Sequence, residues 1–195
     1  MIPHFNHAHV LPPFVGERLS AAASSPYLVS ASELIQRFCS SPPRAVLLRG
    51  LLAYRERIGA LGFIDGFQWI NGSFTENVEA QAGRPPNDVD LVTFARPPLG
   101  LSHTQINALM QANLDVFDRD QCRSTFHCDS FLVSLTRSPE RLVQDVRYWY
   151  GLFSHRKADH VWKGLLQIPL TSDDDVGAQL LNNAFAHMDD DARSA

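Results

Sequence analysis

An α/β fold is what the order of segments in this chain predicts. Short β-prone runs occur at 67–71, 88–94, 125–135 and 161–168, and stretches with apolar residues at helical spacing lie around them. The 195 residues, 45% hydrophobic and 19% charged, can bury one substantial core and are short for two independent domains.

Residues 1–26 mix Pro, His, Ala and Ser without a period and read as an extended arm that lies on the body or orders with a partner. The domain proper is expected over 27–188, with a frayed end at 189–195. Ser30 or Ser32 caps a helix to about Cys39, and Pro42-Pro43 opens a longer one toward Ala60, since proline is tolerated where the first-turn amides have no partner. In that helix Val46, Leu47, Leu51, Ala53, Tyr54 and Ile58 approximate an apolar side, with Arg44, Arg55, Glu56 and Arg57 facing outward in part. The run Phe67 to Asn71 reads as a strand ending at Gly72-Ser73, followed by a polar loop through Asn87. The strand Asp88 to Phe94 alternates, so Asp88, Asp90 and Val92 share one face.

Ser102 with Gln105 forms a capping-box pattern for a helix to about Phe117. Thr125 to Leu135 reads as a strand with His127, Asp129, Phe131 and Val133 on one face, and Ser138-Pro139-Glu140 starts a helix that ends among Tyr148, Trp149, Tyr150 and Phe153. Val161 to Ile168 reads as a further strand. Asp173, Asp174 and Asp175 favour the start of a last helix, whose apolar stripe is Leu180, Leu181, Ala184, Phe185 and Met188.

A formal net charge of -4 argues against a protein that coats nucleic acid non-specifically, because that affinity comes from neutralising phosphates with Lys and Arg. No stretch approaches the length of a membrane-spanning helix, and the first residues lack the order of a signal peptide. Cys39, Cys122 and Cys128 form an odd set with no CxxC pair, which suggests neither a disulfide framework nor a zinc knuckle. The expected setting is cytoplasmic, with no membrane partner.

The chemistry concentrates in two motifs. A Gly72-Ser73 turn after a strand lets backbone amides approach a triphosphate, and Asp88 with Asp90 on the next strand can hold Mg²⁺ against the same phosphates. Asp129 brings a third acid, and converging carboxylates repel one another unless cations sit between them. In this order, Trp69-Ile70-Asn71-Gly72-Ser73 and then Asp88-Val89-Asp90-Leu91, the chain resembles the nucleotidyltransferase superfamily. It is similar to a group of bacterial nucleotidyltransferase-like proteins also in Leu11-Pro12-Pro13-Phe14, Asn71-Gly72-Ser73-Phe74, Pro86-Asn87-Asp88-Val89-Asp90, Tyr148-Trp149 and Trp162-Lys163-Gly164. It departs from the superfamily in a long spacer from Ser73 to Asp88 and in Asn71, where a hydrophobic residue is usual.

The resemblance implies a minimal nucleotidyltransferase fold, a small mixed sheet flanked by helices. It also implies Mg²⁺, in one- or two-ion form, a nucleoside triphosphate substrate, and a protein, tRNA or small hydroxyl compound as acceptor, in some relatives within toxin-antitoxin or anti-phage systems. Asp88, Asp90 and Asp129 are the expected metal and catalytic acids, and Gly72, Ser73 and Lys163 the expected nucleotide contacts. Asp129 has a second reading, a buried acid satisfied by His127 or an arginine, in which case Asp115 or Asp118 takes its role. Lys163 either reaches a phosphate or snorkels from an edge strand. Arg147 and Arg156 are phosphate partners or solvated surface groups; His127 is a proton carrier or a bonded core histidine. Trp149, Tyr150, Phe153 and Trp162 stack a base or fill the core. The competing function is a non-catalytic nucleotide-binding or interaction module.

Overall fold

Alternating side chains in the β-prone runs build a sheet with two buried faces. In the computed structural model, which describes residues 1–16, 20 and 23–194 with side chains to 186, β1 (Tyr27–Leu28), β2 (Gly66–Asn71), β3 (Val89–Ala95), β4 (Cys128–Ser134) and β5 (Leu166–Pro169) form one five-stranded mixed sheet of order β1-β5-β2-β3-β4. β1 with β5 and β3 with β4 pair in parallel; β2 pairs antiparallel with both β3 and β5. Eight helices flank the sheet among the described residues: α1 (Ala31–Phe38), α2 (Pro42–Ala60), α3 (Val78–Ala82), α4 (His103–Ala112), α5 (Leu114–Phe117), α6 (Arg119–Phe126), α7 (Pro139–Phe153) and α8 (Asp174–Ser194). The predicted α/β class, a small mixed sheet flanked by helices, is the one observed.

One face of the sheet presents Ile70, Val89, Leu91, Cys128, Leu166 and Ile168 to a core that also contains Leu34 of α1, Leu51 and Tyr54 of α2, Phe126 of α6 and Leu181 of α8. The other face presents Trp69, Val92, Phe94 and Val133 to Trp149 and Phe153 of α7. Each buried residue of this size contributes roughly 1.5–3 kcal/mol by leaving water, so the two faces together dominate the stability. Trp149 and Phe153 are therefore core residues.

Local signals set most helix starts. Ser30 caps α1 reciprocally with Glu33, and Ser102 caps α4 with Gln105. The proline pair at the start of α2 falls in its first turn as expected. Leu47, Leu51, Tyr54 and Ile58 face the core as expected, but Val46 and Ala53 are exposed, and Arg44 and Arg55, expected to face outward in part, are buried. Both arginines are paid in full by partners. Arg44 bonds Glu79 and the carbonyls of Phe74 and Glu76; Arg55 bonds Asp174, Gln68 and the carbonyls of Pro169 and Leu170.

Several expected elements change. The helix from Ser102 stops at Asn113, whose side chain donates to Leu109 O at 2.7 Å, and α5 starts afresh. The residues before Cys128 form α6, capped by Asp118 on the Gln121 amide, and not the first turns of a strand; His127 closes that helix at φ 55° and is exposed. The loop after Ser73 contains a 3-10 turn (Ser73–Thr75) and α3, which ends at Gly83 in the left-handed region. Of the strand expected over 161–168, only the last residues pair: Trp162 makes an isolated bridge to His155, and the Lys163 and Gly164 amides donate to Ser154 O and Leu11 O. The backbone of α8 stays helical to Ser194, past the start of the expected frayed end. The side chain of Met188 and residue Ala195 lie outside the described residues, as do 17–19 and 21–22 of the arm.

The N-terminal residues are part of the body. Val10 bridges to Glu76, Val10 and Leu11 are fully buried, and Ile2 and Phe5 pack on the larger core. Among the described residues no helix is long and apolar enough to cross a membrane.

Candidate functional site

Register, more than sequence spacing, assembles the site. Asn71 of β2 lies opposite Asp90 of β3, which lies opposite Asp129 of β4. Directly paired residues point to the same face, so the three form one row on the α7 side of the sheet. Asp88 precedes Val89 by one residue, at the mouth of the same face. Beside this row opens a cleft of about 1190 Å³, lined among others by Gly72, Ser73, Asp88, Asp90, Arg119 and Lys163. The structure thus gathers five of the six expected residues on the cleft wall and places Asp129 beneath it, 3% exposed.

Gly72 has a geometric reason to be glycine. Its φ is 76°, and a Cβ there would stand 1.8 Å from Oδ2 of Asp90, so the turn approaches the acid closer than any side chain permits. Asn71 holds that turn: its Oδ1 accepts from the Gly72 amide at 2.6 Å, while its Nδ2 donates to the Phe153 carbonyl at the end of α7. A hydrophobic residue at this position would leave both groups unmatched. Lys163 works from behind. It is 3% exposed, pairs with Glu76 and donates to the Gly72 carbonyl at 3.0 Å. Burial pushes its pKa down, against the pull of Glu76. Its ammonium thus takes part in an internal ion pair that fixes the turn, and its segment is a loop folded against the arm and not the expected apolar edge strand.

The acids differ sharply in their surroundings. Both oxygens of Asp129 are bonded: Arg119 forks onto it through Nε and Nη2, and Arg123 adds Nη2 at 2.5 Å. Arg123 also reaches Asp88, Nε to Oδ2 at 2.9 Å. Asp90 carries no such partner among the described residues, and its pKa rises to about 6 through burial, then through the charges of Asp88 and Asp129. Asp129 is therefore a buried acid satisfied by arginines, as its second reading had it, and His127 takes no part. Asp115 pairs with Arg57 and Asp118 caps α6, so neither fallback acid joins the row. Arg156 is held by Asp159 and the Ala8 carbonyl.

A hard divalent cation takes carboxylate oxygens, and Asp88 with Asp90 supply them on a shared face where burial, then the charges of Asp88 and Asp129, oppose ionisation of Asp90. The pair fits such an ion. Asp129 does not fit as a ligand, since its oxygens face two guanidinium groups. Among the described residues no group of three or more His, Cys, Asp and Glu side chains is arranged around a metal position.

Arg119, Arg123, Glu76 and the positioning role of Asn71 were not anticipated. Arg119 and Arg123 stand four apart, the spacing that puts two side chains on one helix face, which is the only sequence signal they carry. The rim of the cleft adds exposed Arg84, Lys157, His155 and His160.

No curated protein matches this chain, and no solved structure does. A family profile spans residues 3–169, from the buried arm through β5, and covers every residue of the site. The chain therefore belongs to the family of unknown function DUF6932.

Proposed function

We propose that the protein is a Mg²⁺-dependent nucleotidyltransferase that moves a nucleotidyl group from a nucleoside triphosphate to an acceptor hydroxyl on a protein, a tRNA or a small molecule. The observation that carries this reading is the approach of the Gly72 turn to Asp90 at the wall of a large cleft, with Asp88 on the same face. In such a transfer the acceptor oxygen forms a bond to the α-phosphorus as the bond to the pyrophosphate oxygen breaks. The Gly72-Ser73 turn receives the phosphates, and Asp88 with Asp90 would hold the ion. The ion, when bound, neutralises phosphate charge and polarises the reacting groups. Among the described residues no arginine bonds Asp90, so its oxygens stay available to the ion, and the acceptor's proton leaves with the departing pyrophosphate. The free thiols, Cys122 and Cys128 buried and Cys39 half-buried, support a reducing, cytoplasmic setting.

A second reading, a non-catalytic nucleotide-binding or interaction module, is favoured by the arginines that already neutralise Asp129 and bond Asp88. Thermal melting separates the two from an inert scaffold. At about 100 times its dissociation constant a ligand of the folded state adds about 2.7 kcal/mol, which for a chain of this size raises Tm by roughly 5–10 °C. Nucleoside triphosphates with Mg²⁺ should produce such a shift, and Asp88→Ala with Asp90→Ala should remove its metal-dependent part. Pyrophosphate release with an acceptor then marks the enzyme. A metal-dependent shift that survives in the double variant would place the nucleotide elsewhere.

A further inference from the structure

The third acid behaves unlike a metal ligand, and what it holds suggests its purpose; the inference rests on the nucleotide reading above. Asp129 is 3% exposed and receives charge-assisted bonds from Arg119 Nε and Nη2 and from Arg123 Nη2. Two guanidinium groups on one buried carboxylate repel a divalent ion as well as occupying its ligand atoms. Arg119 itself is 55% exposed at its side chain and lies on the cleft lining, with its guanidinium carbon 5.2 Å from the ring centre of Phe131. Its Nη1 meets no hydrogen-bond acceptor among the described residues. One edge of the guanidinium is thus gripped from below and another edge is left toward the cleft. A guanidinium held in this way loses little freedom when an oxyanion arrives, which a lysine, with a single rotating ammonium, cannot reproduce. Arg123 completes the arrangement by spanning Asp129 and Asp88, so that the anchor and the metal acids are fixed relative to one another.

We propose that Asp129 is a positioning residue and not a metal ligand: it anchors Arg119 so that the outer edge of the guanidinium binds a phosphate oxygen of the triphosphate, while Asp88 and Asp90 hold the ion. The test uses two probes on the full chain, Mn²⁺ alone followed by electron paramagnetic resonance, and magnesium tripolyphosphate followed by calorimetry. Asp129→Asn should keep Mn²⁺ affinity within about threefold, whereas Asp90→Asn should abolish it. Both Asp129→Asn and Arg119→Ala should weaken magnesium tripolyphosphate by about tenfold, the scale of one charge-assisted hydrogen bond, and the double variant should be no weaker than either alone. Loss of Mn²⁺ in Asp129→Asn, losses that multiply to about a hundredfold in the double variant, or full tripolyphosphate affinity in Arg119→Ala would each overturn the proposal. Should Asp129→Asn fail to fold, Arg119→Ala on the exposed side chain decides alone: Mn²⁺ kept and tripolyphosphate weakened supports it, tripolyphosphate unchanged overturns it. A wild-type protein that binds neither probe overturns this proposal and the nucleotide reading together; failure in the variants alone leaves the nucleotide reading standing.

Discussion

Asp90 is surrounded by conditions that oppose its charge: burial first, then Asp88 and Asp129, offset in part by Lys163 and Arg123. Its pKa in the folded protein is about 6, against 3.8 for the ordinary group. A carboxyl whose folded pKa lies above its unfolded one contributes stability that is fully present below about pH 4 and is lost as pH rises through about 6. In the metal-free protein, Tm of the wild type relative to Asp90→Asn should therefore fall between pH 4 and 6, and Mg²⁺ should reduce that fall by favouring the ionised form. Melting curves of both proteins across that range provide the check; a difference that stays level would mean that Asp90 ionises normally. The same residue shows what the sequence could convey. Alternation in Asp88-Val89-Asp90 placed both acids on one face, because that depends only on the strand's own period. The arginines on Asp129 come from another helix, and no spacing within β4 announces them.

Helix α2 and helix α6 illustrate the same limit one level up. Gly50 sits inside α2, where propensity alone favours alanine by about 0.5–1 kcal/mol. A Cβ at that position would stand 2.1 Å from the Phe126 carbonyl oxygen at the end of α6, a backbone atom that cannot swing aside. Overpacking of this kind costs about 1–3 kcal/mol, occasionally more, so the clash outweighs the propensity gain. Gly59, in the last turn of the same helix, meets nothing within 4 Å. Gly59→Ala should leave stability unchanged or raise it by up to about 1 kcal/mol, and Gly50→Ala should lower it by about 1–3 kcal/mol, as urea titration of each variant would measure. Equal effects at the two glycines would contradict the close passage of α2 over α6. Helices with caps written into the sequence, such as Ser30 with Glu33 and Ser102 with Gln105, were legible before any contact was known. Helix α6 was not: only Cys122 and Phe126 of its residues are buried, so it lacks an apolar stripe, and Thr125 and Phe126 look β-prone on their own. Its position matters because it delivers Arg119 and Arg123 to the acids.

At the scale of the whole molecule, the N-terminal segment is bonded to the elements that build the cleft. Its irregular composition reads as an arm, since no period runs through Pro, His and Ala, yet its backbone is tied in at four points. Asn77 donates to the His9 carbonyl at 2.9 Å, Gly164 to Leu11 at 2.7 Å, Tyr27 to Pro12 at 2.7 Å and Arg156 to Ala8 at 2.7 Å. These contacts reach the segment after the Gly72 turn, the Lys163 loop and a residue of the cleft wall. Val10 and Leu11 are fully buried, and together they contribute roughly 3–6 kcal/mol by burial alone, a large part of the 5–15 kcal/mol by which a domain is stable. Deleting residues 1–12 should therefore abolish a cooperative melt, and not merely expose a binding surface. Leu11→Ala, which keeps the backbone bonds, should cost about 2–5 kcal/mol and lower Tm by roughly 4–20 °C. Differential scanning calorimetry of both variants distinguishes an integral segment from an appendage: a truncated chain that melts at the wild-type temperature would show that the sheet and its helices fold without the arm.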